Sequence, residues 1–91
     1  MPYIKKERRD IFDLTLSSLD NYDLNVGDLN YIFSRLLDVF IMKNKKNYPT
    51  LNSVIGVLEC CKMEIYRRIA CPYEDEKIRS NGDVFDCIKF F

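Results

Sequence analysis

Between Pro49 and Pro72 lies one uninterrupted stretch, TLNSVIGVLECCKMEIYRRIAC, with a single glycine and apolar residues recurring at three- and four-residue steps. Leu51, Val54, Leu58, Cys61 and Ile65 follow that spacing, which belongs to one face of a helix and not to the two-residue alternation of a half-buried strand. A helix of this length constrains everything else, because its apolar face needs a partner. Thr50 is the expected N-cap, just after Pro49, and Pro72 sets the end at Cys71 by disfavouring helical backbone in the residue before it.

The neighbouring segments read the same way. A first helix is expected over about Glu7–Asp20, where Phe12, Leu16 and Leu19 keep helical spacing and Ile11 widens the stripe. NYDLNVGD interrupts it, and Asn25 with Asp28 three positions later forms the capping signature of a second helix. Leu29, Phe33, Leu36, Leu37 and Phe40 make one broad stripe on that helix, with Ile32 and Val39 extending it. Asp28, Ser34, Arg35 and Asp38 fall on the other side. The run KNKKNYP ends the helix with cations at its negative pole. Its stripe and the seam of the third helix suit an antiparallel helical hairpin. A short fourth helix is expected in PYEDEKIRSNG, with Pro72 in its first turn and Asn81-Gly82 as the left-handed cap. The last stretch, DVFDCIKFF, leaves strand, helix and adhesive tail open. The prediction is an all-α chain: three main helices with a central antiparallel hairpin, a short C-terminal helix and an aromatic tail. With 91 residues and no linker or repeat, residues 1–91 are expected to form a single small domain.

Composition removes several kinds of chemistry. Lys plus Arg and Asp plus Glu each number 14, so no net field draws the chain to nucleic acid or to an anionic membrane. No segment approaches the roughly 18 apolar residues of a membrane span, and the N-terminus lacks a signal-peptide core. A cytoplasmic location is expected, in whatever cell makes the protein. In that reducing compartment the 4 cysteines, Cys60, Cys61, Cys71 and Cys87, are expected as packed thiols and not disulfides, and their spacing does not suit a zinc site. Histidine is absent, which takes away the usual general base and the commonest metal ligand. No catalytic residue, cofactor or metal is therefore expected.

A few polar positions remain to be explained. On a wheel of about 100° per residue, Lys62 falls inside the apolar arc of the third helix, and a buried ammonium needs an acid or a route outward along its stem. Glu59, three residues earlier, and the hydroxyl of Tyr66 are the partners in reach. One reading makes Lys62 and Glu59 a structural or interface pair. The other has Glu59, Lys62 and Tyr66 line a cleft in which Arg67 or Arg68 grips an anionic small ligand such as a nucleotide. Gly56 costs a mid-helix position about 1 kcal/mol, and with Cys60 it offers a narrow edge to a neighbouring helix. Phe85, Phe90 and Phe91 make the tail a second candidate interface, so a homo-oligomer is expected.

The series GDLNY, RLL, LNSVIGVLECCKMEIYRR, PYEDEKI and NGDV, from Gly27 to Val84, resembles a widespread family of small bacteriophage and bacterial proteins of unsettled function. Members of that family end soon after the NGDV segment, usually with a tyrosine, where this chain has Phe85 and continues. The resemblance implies a small non-enzymatic accessory protein that acts by binding. By analogy of size and class it would sequester a nucleotide signal against host defence, or inhibit or regulate a host or phage protein.

Overall fold

The computed structural model describes residues 3–90, and the side chains of residues 3–88. It is all-α. Helix α1 runs over Lys6–Leu16 and tightens into a 3-10 turn at Ser17–Asn21; α2 covers Val26–Asn44 and α3 Tyr48–Ile65. A π turn at Tyr66–Ala70 leads into α4, Cys71–Asn81, and a final 3-10 turn spans Asp86–Phe90. Two compact units divide the chain, Met1–Val57 and Leu58–Phe91.

In the first unit the start of α2 follows the expected chemistry. The Asn25 side chain accepts from the Asp28 amide at 2.8 Å, and the Asp28 carboxylate accepts from the Asn25 amide at 3.1 Å. Two amides that an isolated helix end leaves unbonded are thereby satisfied. The other end is a compact knot of hydrogen bonds. Asn44 Nδ2 donates to the Phe40 carbonyl at 2.9 Å, and Thr50 Oγ1 donates to the Asn44 carbonyl at 3.2 Å. The chain reverses through Lys45, whose φ of 81° lies where side chains rarely go. Asn47 then caps α3 by accepting from the Thr50 amide at 3.0 Å. This corrects the expectation that Thr50 is the cap: α3 begins three residues earlier than that cap implies, at Tyr48, because Pro49 suits a first helical turn that has no use for its missing N–H.

Burial is sparse. Among the described residues only Thr50 and Val54 are buried, while Leu19, Ile32, Leu37 and Ile41 are half-buried in the same unit. Of the expected α3 seam, Val54 is buried, Cys61 half-buried, and Leu51, Leu58 and Ile65 are exposed. Side chains of α2 and α3 line a groove near their connecting turn.

In the second unit the helix does not break at Pro72. Proline has no N–H and its ring crowds the carbonyl four residues back, so a straight α-helix would be strained there. The backbone instead widens by one residue before it, with the Cys71 amide donating to the Tyr66 carbonyl, five positions earlier. Gly82 ends α4 at φ 86°, its amide donating to the Ile78 carbonyl at 2.8 Å, as the Asn-Gly pair implies.

The two positive-φ positions make opposite predictions. Replacing Lys45 by Gly removes steric strain and should raise unfolding stability by about 1 kcal/mol, whereas Gly82→Ala introduces that strain and should lower it by about 1–3 kcal/mol. Urea titrations of both variants check the pair; equal effects of one sign would contradict the assignment.

Candidate functional site

The polar residues singled out in the sequence all lie in the second unit, on the last turns of α3 and in the π turn. Lys62 does not sit in an apolar core. Its side chain is 75% exposed and its ammonium stands 3.6 Å from Glu59, itself exposed. The pair is the expected one, in open solvent, where such pairs are worth little. Lys62 is exposed because the sequence wheel assumed a buried face along Leu51, Leu58 and Ile65, and those side chains are outside.

The better-built cluster is centred on Glu64, whose side chain is only 16% exposed. Its Oε2 accepts from Arg67 at 3.4 Å and its Oε1 from Arg68 at 3.3 Å, so one carboxylate holds both arginines from a single helical turn. Glu64 and Arg68, with Ile65 and Ile69, line a shallow depression of about 270 Å³. The sequence signal was present in the i, i+4 spacing of Glu64 and Arg68, but spacing alone does not say that a second arginine joins the same acid.

Tyr66 points its chemistry elsewhere. Its phenol is held above the ordinary tyrosine value by the neighbouring Cys71 thiol and, next, by the Glu74 carboxylate, both of which oppose a phenolate charge. Glu59 and Lys62 are thus paired with each other and Arg67 and Arg68 with Glu64, while the Tyr66 phenol answers to Cys71 and Glu74. The five candidate ligand-binding residues share one helical segment yet fall into three separate sets.

Of the candidate interface residues, Gly56 is open: a methyl group added there would meet nothing within 4 Å. Cys60 carries an exposed free thiol. Phe85 is exposed and its amide donates to Asp83 Oδ1 at 2.9 Å. Phe90 contributes backbone to the last 3-10 turn, while its side chain and the whole of Phe91 lie outside the described residues. No group of three or more acidic, cysteine or histidine side chains able to hold a metal occurs among the described residues. Nor is any helix among them long and apolar enough to cross a membrane.

What sequence reasoning passed over is a groove in the first unit. Phe12 of α1, Leu36, Leu37, Val39 and Phe40 of α2, and Ser53, Val54 and Val57 of α3 enclose about 500 Å³, with Arg8, Lys43 and Asn44 at the polar margin. The guanidinium of Arg8 lies over the Phe12 ring, 5.4 Å from its centre.

A family model described as Domain of unknown function (DUF6899) matches residues 1–84. The chain belongs to that family. The DUF6899 match takes in the first unit entire, including the groove, as well as α4, and stops before Phe85. No curated protein and no solved structure matches the chain.

The Glu64 clasp predicts a stability effect. Glu64→Gln leaves two arginines without their carboxylate and should cost about 1 kcal/mol in urea unfolding, while Glu59→Gln should change little. Because the Tyr66 phenol holds its proton more tightly in the folded chain, its contribution is present at neutral pH and is lost as alkali titrates it. Ultraviolet titration should place the Tyr66 transition above the ordinary tyrosine value, and Cys71→Ser should move it back toward that value.

Proposed function

We propose that the chain works by binding and not by catalysis, as a homo-oligomeric protein–protein interaction module that inhibits or regulates a host or phage protein, its charged residues being structural. The observation that carries this reading is how much apolar side chain stays outside. The chain exposes 8736 Å². Two compact bodies of the sizes of its two units, standing apart, would together expose about 6,600 Å². Leu29, Phe33, Leu36 and Phe40 of α2 contribute to the difference, as do Leu14 and Ile11 of α1 and Ile65 and Ile69 further on. So many large apolar side chains left outside support an association surface.

The charged residues support the same reading. Arg67 and Arg68 are engaged by one partly buried carboxylate, so a phosphate would have to displace Glu64 to recruit them. Sequestration of an anionic nucleotide by Glu59, Lys62, Tyr66, Arg67 and Arg68 has no comparable support, since these side chains pair among three separate sets. For catalysis, the chain offers no histidine and no metal-ligand cluster among the described residues.

Sedimentation velocity at about 50 μM should show a dimer or larger homo-oligomer; a monomer would overturn the reading. In parallel, a panel of mono-, di- and cyclic nucleotides near 1 mM should leave the melting temperature unchanged, since only a ligand that binds the folded state raises it. A reproducible rise that Arg67→Ala abolishes would restore the small-ligand reading instead.

A further inference from the structure

The sequence holds one Asn-Gly pair, Asn81-Gly82, and the structure places it where α4 ends. Such a pair can react with itself. The backbone nitrogen that follows an asparagine attacks the asparagine's side-chain carbonyl carbon and closes a five-membered ring, and glycine hinders that attack least because it carries no Cβ. How readily the ring closes depends on how tightly the fold holds the two groups.

Here it holds them loosely. The side-chain amides of Asn21, Asn25, Asn30, Asn44 and Asn47 are engaged in hydrogen bonds, and each is followed by a residue bulkier than glycine. Asn52 is followed by Ser53 inside α3. Asn81 is exposed, and no hydrogen bond among the described residues ties its side chain. Gly82 has turned out of the helix at φ 86°, with nothing within 4 Å of the place a Cβ would take, so the ring has room. The remaining brake is the hydrogen bond that the Gly82 amide donates to the Ile78 carbonyl at 2.8 Å. One such bond slows the step only about fivefold, and α4 has no buried residue to hold its last turn shut.

We propose that Asn81 is a self-modification site, converting to aspartate and isoaspartate through a cyclic imide without an enzyme. The Gly82 nitrogen bonds to the Asn81 side-chain carbonyl carbon, the bond from that carbon to Nδ2 breaks, and ammonia leaves with the former Gly82 amide proton. Water then opens the ring. Opening at the side-chain carbonyl gives aspartate, whereas opening at the main-chain carbonyl gives isoaspartate, in which the chain runs on through the former side chain. Water is the co-reactant, and nothing is oxidised or reduced.

The product changes the end of α4 in two ways. A new carboxylate stands at the negative pole of the helix, where the dipole disfavours it. It joins Glu74 and Asp83 around a depression of about 420 Å³ that Lys77 also lines. Isoaspartate in addition lengthens the main chain by one methylene, which carries the Gly82 amide out of register with the Ile78 carbonyl. The site is thus an irreversible timer that uncaps one helix and makes its end more acidic.

The test uses the full chain, held at physiological temperature and mildly alkaline pH, with peptide mapping by mass spectrometry and electron-transfer fragmentation to tell isoaspartate from aspartate. Asn81 should convert at least about tenfold faster than Asn52, about 1.4 kcal/mol in barrier, with isoaspartate among the products. Because the brake is one hydrogen bond, unfolding in urea should quicken the step by less than about tenfold. Asn81→Gln, whose longer arm needs a six-membered ring, should end modification at this position and leave the helical circular dichroism unchanged. Equal rates at Asn81 and Asn52, a larger acceleration in urea, or a product free of isoaspartate would each overturn the proposal.

Discussion

The turn between α2 and α3 is where this chain commits to a structure. Thr50 donates to the last carbonyl of α2 and, through its amide, is capped by Asn47, while Val54 one turn later is the only other buried described residue. Those contacts fix how α3 leaves α2 and therefore where the groove opens. They are local and polar, and they bury almost no apolar area. Hydrogen bonds of this kind are each worth about 1 kcal/mol net, whereas ordering a residue costs roughly as much or more in chain entropy. The turn therefore sets direction without supplying the driving force, which on the proposed reading comes from covering the apolar faces that it leaves outside.

That imbalance organises the functional reading as well. On the proposed reading, a chain whose aliphatic and aromatic residues are mostly exposed is completed by another surface, and its charged side chains have a structural task. Glu64 holds two arginines against the helix just before the π turn, Glu59 holds Lys62 in solvent, and Tyr66 leans on Cys71. The clasp sits beside the one place where the helix widens, next to Pro72, where main-chain bonding is least regular. Side-chain pairing there steadies the segment.

Much of the secondary structure was legible because it depends on neighbours in sequence. Asn25 and Asp28 are a capping pair at three-residue spacing, and Gly82 after Asn81 supplies a φ that only glycine takes readily. Helical periodicity gave α1 to α4 and the all-α class. The failures are equally physical. Thr50 looked like a cap because threonine after proline often is one, but Asn47 caps the helix by accepting from the Thr50 amide, and the Thr50 hydroxyl donates to the Asn44 carbonyl. Pro72 signalled a break, whereas a π turn accommodates the ring and keeps the helix running. Lys62 looked buried because a wheel ranks faces by hydrophobicity and cannot know which face finds a partner. For the same reason the groove went unread: Phe12 and Val57 are far apart in sequence, and no local pattern announces that they share a wall with Leu36.

The central claim is that this chain's stability resides in contact between copies. Urea unfolding followed by helical circular dichroism over a hundredfold range of protein concentration tests it directly, because an assembly that unfolds to separate chains obeys mass action. The midpoint should rise steadily with concentration. A midpoint that stays constant across the range would mean that the chain is held together by itself alone, and would contradict the account.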